Sequence, residues 1–127
     1  MEEYLFKEEV YAIIGAAMAV HNEIGQGFIE SVYHESLVLE MQARGIPVES
    51  EKQMDFFYKG HLLNRKYFVD LVCYGEIIVE LKAVSELVPQ HEAQLINYLH
   101  VSRKKVGVLI NFGKSRLEYK RLVCSCP

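Results

Sequence analysis

Tyr67-Phe68-Val69-Asp70-Leu71-Val72-Cys73-Tyr74-Gly75-Glu76-Ile77-Ile78-Val79-Glu80-Leu81-Lys82 is the stretch whose reading decides the fold. β-Branched and aromatic residues run into and out of a Tyr74-Gly75-Glu76 loop, the pattern of two strands joined by a tight turn. Side chains alternate between the two faces of a strand. Asp70 therefore shares a face with Phe68 and Val72, while Glu80 and Lys82 share one with Ile78 and Val84. Charges in such surroundings are costly unless something compensates them. With a three-residue loop, Cys73 faces Ile77 and Asp70 lies directly opposite Glu80; a two-residue loop would break this register. Opposed residues have Cβ atoms about 4.5–5.5 Å apart, where two carboxylates repel. A divalent cation turns that repulsion into binding, since hard oxygens suit Mg²⁺ at about 2.0–2.1 Å. The alternative is a salt-bridge network on an open sheet face, with Lys82 neutralising one acid. Apolar neighbours on both strands argue against a solvated face.

Outward from this hairpin, the pattern predicts a mixed α/β chain. Upstream, Leu5, Phe6, Val10, Ile13, Ile14, Ala17 and Met18 recur at helical spacing, and Gly25-Gln26-Gly27 ends the run. A second helix is predicted from Phe28 to Arg44, with Val32, Tyr33, Leu37 and Met41 inward and Gly45 and Pro47 beyond it. Strands follow at Val48–Tyr58, Leu63–Tyr74 and Glu76–Val84. Pro89 suits the first turn of a third helix carrying Leu95, Ile96 and Leu99. Val106–Phe112 reads as a buried strand and Leu117–Val123 as a partly exposed one, giving the order ααβββαββ.

Composition bounds what this fold can do. At 127 residues, 50% hydrophobic and 24% charged, the chain fits one globular domain over 1–127, with an ordered core from about 5 to 123. Its longest apolar run, Val10 to Val20, has 11 residues, against about 20 for a membrane span. Glu2, Glu3, Lys7, Glu8 and Glu9 before it are the wrong flank for a secretory signal. Three cysteines without CxxC or CxxH spacing suggest a reduced protein, so a cytoplasmic location is expected. Cys124-Ser125-Cys126 reads as a disordered tail and a poor metal site. Charge is uneven. Residues 1–100 hold 7 basic and 16 acidic side chains, a balance of −9, whereas residues 101–127 hold 7 basic and one acidic, a balance of +6. That basic quarter can track phosphates, or guard a sheet edge.

Four motifs carry a resemblance. Asp70, followed by Glu80-Leu81-Lys82, resembles the core motif of the PD-(D/E)xK nuclease superfamily, with Val69 where the name-giving motif has proline. Gly27-Phe28-Ile29-Glu30-Ser31-Val32-Tyr33 matches the signature of its small GxxExxY proteins, and Gln94-Leu95-Ile96-Asn97-Tyr98 resembles the QxxxY motif of its RecB-like and lambda-exonuclease-like branches. The likeness runs from about Glu8 to Val123 and includes the Ile110-Asn111-Phe112-Gly113 strand end. It implies a restriction-endonuclease-like core, a mixed β-sheet flanked by helices, and a Mg²⁺-dependent phosphodiesterase site, with Mn²⁺ as an alternative ion.

On that resemblance Asp70 and Glu80 are metal ligands, joined by the Leu81 carbonyl and by Glu30 from the second helix. Lys82 orients or helps deprotonate the attacking water and offsets charge on the phosphate. Gln94 and Tyr98, four apart on one helical face, support the site or contact nucleic acid. The simpler reading of Glu30 is an acid complementing the helix dipole, and His91 lies one turn before Gln94. The expected function is hydrolysis of phosphodiester bonds in nucleic acid, DNA ahead of RNA. The alternative is a catalytically silent nucleic-acid-binding or regulatory module retaining the nuclease fold. No membrane partner is implied, and a homodimer is left open.

Overall fold

The computed structural model describes residues 5–125. Two helices come first, α1 at Lys7–Ile24 and α2 at Glu30–Ala43. In α1, Val10, Ile13, Ile14 and Ala17 are buried, Glu8 and Glu9 lie in the first turn, and the Gly25 N–H closes the end onto the His21 carbonyl at 2.8 Å. In α2 a row four residues apart, Tyr33, Leu37 and Met41, is fully buried, whereas Val32 is only half-buried. The helix begins at Glu30 rather than Phe28 because Ile29 keeps an extended backbone, with ψ of 159°.

Seven strands follow: β1 Val48–Met54, β2 Phe57–Tyr58, β3 His61–Leu62, β4 Tyr67–Cys73, β5 Ile77–Lys82, β6 Val106–Asn111 and β7 Glu118–Val123, with helix α3 at Pro89–Ser102 after β5. The main sheet has the order β1-β4-β5-β6-β7. Its pairs are antiparallel except β5 with β6, which are parallel across α3. Every residue of β6 is buried, as a central strand covered on both faces requires. One face packs on α1 and α2 through Leu71, Cys73, Ile77, Val79, Leu81 and β6. The other packs on α3 through Val72, Ile78, Leu109, Leu95 and Leu99.

The three-residue loop holds. Cys73 pairs with Ile77, Val72 with Ile78 and Leu71 with Val79, while Tyr74 and Gly75 both take positive φ to make the turn. The first meander strand differs from the reading Val48–Tyr58. Lys59 and Gly60 have φ of 48° and 80°, the geometry of a two-residue primed turn, which suits the twist of a hairpin. Phe57–Tyr58 therefore folds back on His61–Leu62 as a separate two-stranded ribbon instead of extending β1. For the same reason β4 starts at Tyr67, not Leu63. The C-terminal cysteines differ too. Cys124 is buried, disulfide-bonded, and anchored by its N–H to the Lys105 carbonyl, so it is neither tail nor free thiol. Cys126 lies outside the described residues.

The end of β6 is tied to the end of β5. Asn111, fully buried, accepts the Val84 and Gly113 N–H groups through Oδ1 and donates through Nδ2 to the Val84 carbonyl and to Glu118. A Cβ at Gly113 would collide with the Val84 backbone, whereas one at Gly15, inside α1, would make an ordinary 3.5 Å contact with Arg44. Gly113→Ala should therefore lower the unfolding free energy by about 2–3 kcal/mol. Gly15→Ala should raise it by about 0.5–1 kcal/mol. Urea unfolding of the two variants checks both signs.

Candidate active site

Beyond the Leu71–Val79 pair, side chains replace the backbone ladder. The Asp70 N–H donates to Glu80 Oε2 at 2.7 Å, and the Leu81 N–H donates to Asp70 Oδ2 at 2.7 Å. Each acid thus accepts the donor that the facing strand would otherwise direct at a carbonyl. The carboxylates are braced side by side, as the register predicts. Glu80 is buried, with 7% of its surface exposed. Burial first and the Asp70 charge second push its carboxyl up to about 8, against the pull of the Asp70 N–H and of Lys82.

Asp70 does not share a face with Val72, as strict alternation predicts. Leu71 and Cys73 meet the α1–α2 side, yet Val69 packs with Val72 on the α3 side. The pleat breaks at Asp70. Across from it on β1, the register runs Ser50 with Leu71 and Lys52 with Val69, and the intervening Glu51 is left-handed at φ 52°. Asp70 consequently lines a cleft of about 610 Å³ with Glu30, His34, Ser50 and Glu51. The strand is also less enclosed than its sequence suggests, for Tyr67 and Phe68 are 45% and 56% exposed.

Glu30 is the first residue of α2, and Tyr33 puts it there. The buried Tyr33 hydroxyl donates to the Gly25 carbonyl at 2.7 Å and accepts the Phe28 N–H at 3.3 Å, strapping the turn between the helices. Its ring stacks on Phe112 with centroids 4.6 Å apart. Gly27, at φ 105°, takes a backbone conformation that side chains disfavour. The spacing of Gly27, Glu30 and Tyr33 is thus a turn, an acid that lines the cleft while staying exposed, and not aimed inward as helical spacing suggests, and the anchor that holds both. Burial and then Asp70 raise the Glu30 carboxyl, opposed by Lys82 and His34. Lys82 therefore lies within the field of both acids. Its carbonyl accepts the Phe112 N–H at 2.8 Å and its ladder partner is Asn111, whose bonds to Val84 fix the chain two residues on.

Tyr98 and Gln94 fall on one wall of a groove of about 540 Å³, with Phe56 and Tyr67 opposite. Tyr98 is buried and Gln94 exposed. The Tyr98 hydroxyl is raised by burial and then by Glu80, Tyr67 and Asp70, which ties this groove to the acid pair. Tyr67, whose ring stands edge-on 6.0 Å from Tyr98, is the member that strand reading missed. In the sequence it belongs to an apolar run, and only its exposure distinguishes it. His91 instead accepts the Val88 N–H through Nδ1 and caps α3. β7 is a sheet edge, Lys120 pairs with Glu92 at 2.8 Å and Lys114 with Glu118 at 3.6 Å.

Asp70 and Glu80 suit a hard cation in charge and donor type, with the Leu81 carbonyl between Glu80 and Lys82 in sequence. Among the described residues, no three His, Cys, Asp or Glu side chains already form a metal-holding group. The pair fits an ion in charge and donor type, and Glu30 lines the same cleft as Asp70.

A family model described as the PD-(D/E)XK nuclease superfamily matches residues 7–122. Among solved structures, the chain resembles the crystal structure of SSO0001, with a TM-score of 0.59 and 17% identity over 76% of this chain and 52% of that one. The chain thus spans about half the length of that protein, and the likeness shows the fold. No curated protein matches the chain. With the family match running from the start of α1 almost to the end of β7, this chain belongs to the PD-(D/E)XK nuclease superfamily.

Proposed function

We propose that this chain is a GxxExxY-type nuclease that hydrolyses phosphodiester bonds in DNA with the help of Mg²⁺, Mn²⁺ being able to replace it. The observation that carries this reading is the braced pair of Asp70 and Glu80. A buried acid whose carboxyl is pushed up to about 8 by burial and a neighbouring carboxylate is a group poised for a cation. Asp70, Glu80, the Leu81 carbonyl and Glu30 are the residues that would hold the ion. Bound there, a divalent cation lowers the pKa of water and neutralises phosphate oxygens. Lys82 orients the attacking water and offsets charge building on the phosphate. Gln94 and Tyr98 contact the strand as it enters. Asn111 and Tyr33 touch no substrate; they fix the chain around Lys82 and Glu30.

A second reading rests on a specific observation. One oxygen of each central acid is already bound to a backbone N–H, and no three-ligand group is preformed among the described residues. A silent module keeping the nuclease scaffold would look like this as well. Incubation of labelled DNA with the protein and Mg²⁺ or Mn²⁺ separates the two. The nuclease reading expects cutting that requires the ion, and a drop of about 10²–10⁴-fold in Lys82→Ala. Asp70→Asn and Glu80→Gln should fall at least as far. No cutting by the wild type, or variants that cut equally well, favours the silent module.

The acid pair also predicts a pH dependence of stability. Glu80 ionises near the ordinary carboxylate value of 4.5 in the unfolded chain and near 8 in the folded one. The folded state therefore holds the proton more tightly. Its contribution to stability is full below pH 4.5 and is lost as the pH rises through 8. In EDTA, the Tm should fall as the pH is raised across that window, and Glu80→Gln should flatten the fall. Saturating Mg²⁺ should raise the Tm most at the alkaline end, where the carboxylate is free to bind.

A further inference from the structure

The ribbon β2–β3 and its flanks form a surface that the acid pair does not explain. Residues 56–68 hold five aromatic side chains and three cations, Lys59, Arg65 and Lys66, with no acid among them. The rest of the first hundred residues is strongly acidic. Phe57 and Tyr58 are 65% and 61% exposed, which is costly for side chains of that size unless something covers them. The Lys59 ammonium stands 5.5 Å from the Tyr58 ring centre, so ring and cation are presented together.

This surface connects to the site. At the root of the ribbon the Phe56 and Tyr67 rings meet edge-on at 4.6 Å, and Tyr67 meets Tyr98 at 6.0 Å. Tyr98 in turn lies within the field of Glu80 and Asp70. A row of three rings, Phe56, Tyr67 and Tyr98, therefore runs from the root of the ribbon along the groove carrying Gln94.

We propose that β2–β3 is a stacking arm for single-stranded DNA, its aromatic rings taking unpaired bases and Lys59, Arg65 and Lys66 the phosphates. Exposed rings beside cations are what a sequence-tolerant single-strand site needs, because every base has a π-face and every nucleotide a phosphate. Duplex DNA hides those faces in its stack. A second copy of this chain docking through the same face would oppose like charges, so a polyanion is the better match. The proposal rests on the nuclease reading for its direction, in that the arm feeds a strand to the acids.

Fluorescence anisotropy with a labelled 20-nucleotide single strand, in EDTA so that nothing is cut, tests it. Wild type should bind the single strand more tightly than the duplex of the same sequence. Phe57→Ala/Tyr58→Ala, at two exposed positions outside both core clusters, should weaken single-strand binding at least about tenfold, with an unchanged Tm showing that the fold is intact. Replacing Lys59, Arg65 and Lys66 by Gln should reduce the slope of log K against log salt by about 2, near 0.7 per phosphate contact. Equal binding of duplex, an aromatic double variant that binds as wild type does, or an RNA strand bound tenfold more tightly than DNA overturns the proposal. The two readings fail separately. A protein that cuts DNA but ignores the arm substitutions loses the arm alone, and one that binds through the arm without cutting loses the nuclease alone.

Discussion

Two backbone N–H groups handed to two carboxylates govern the rest of the site. Asp70 and Glu80 meet just beyond a register set by a three-residue turn, and a half-buried acid beside a buried one should drive their strands apart. They stay together because each accepts a hydrogen bond from the facing strand. A bond to a charged acceptor contributes about 1.5–3 kcal/mol, and the remaining repulsion is relieved by a proton on Glu80, which burial and Asp70 already favour. Without an ion, the proton is the counter-charge. A divalent cation would replace it, and that exchange links the stability of this sheet to its chemistry.

The surrounding fold brings further parts to this pair by separate devices. Tyr33 straps the turn ahead of α2 and so aims Glu30. Asn111 locks the chain after Lys82 to the end of β6. The kink at Glu51 and Asp70 turns one acid towards α2 while Glu80 keeps company with Tyr98 on the α3 side. Because the two acids lie on a strand pair between helical layers, each layer contributes a wall. Acids line the α2 side, and rings and amides line the α3 side. A polyanion would approach more easily from the second.

Much of this was legible in the residues. The opposition of Asp70 and Glu80 follows from turn length and a period of two, since a tight hairpin leaves little freedom in register. Burial of Tyr33, Leu37 and Met41 follows from helical spacing. What sequence could not show was the break in alternation at Asp70, which depends on one left-handed residue of a neighbouring strand, Glu51. Nor did it separate Phe57–Tyr58 from β1, because an apolar, aromatic run reads as strand wherever it folds back. The turn signal was Lys59-Gly60, weaker than Asn-Gly, and it decides whether those rings are buried or displayed. The disulfide at Cys124 was likewise beyond reach, as spacing alone does not specify pairing.

Of all measurements, the ionisation of Glu80 bears most directly on the claim that two strands hold a buried acid against a half-buried one, ready for a cation. Carboxyl ¹³C chemical shifts followed by NMR from pH 3 to 10, in the metal-free protein, report it at the atom concerned. A midpoint raised to about 8 in the wild type, moving down when Asp70 is replaced by Asn, is the result the account predicts. A Glu80 that titrates near 4.5 and ignores that substitution would mean that its carboxyl is neither buried nor coupled to Asp70, and would contradict the account.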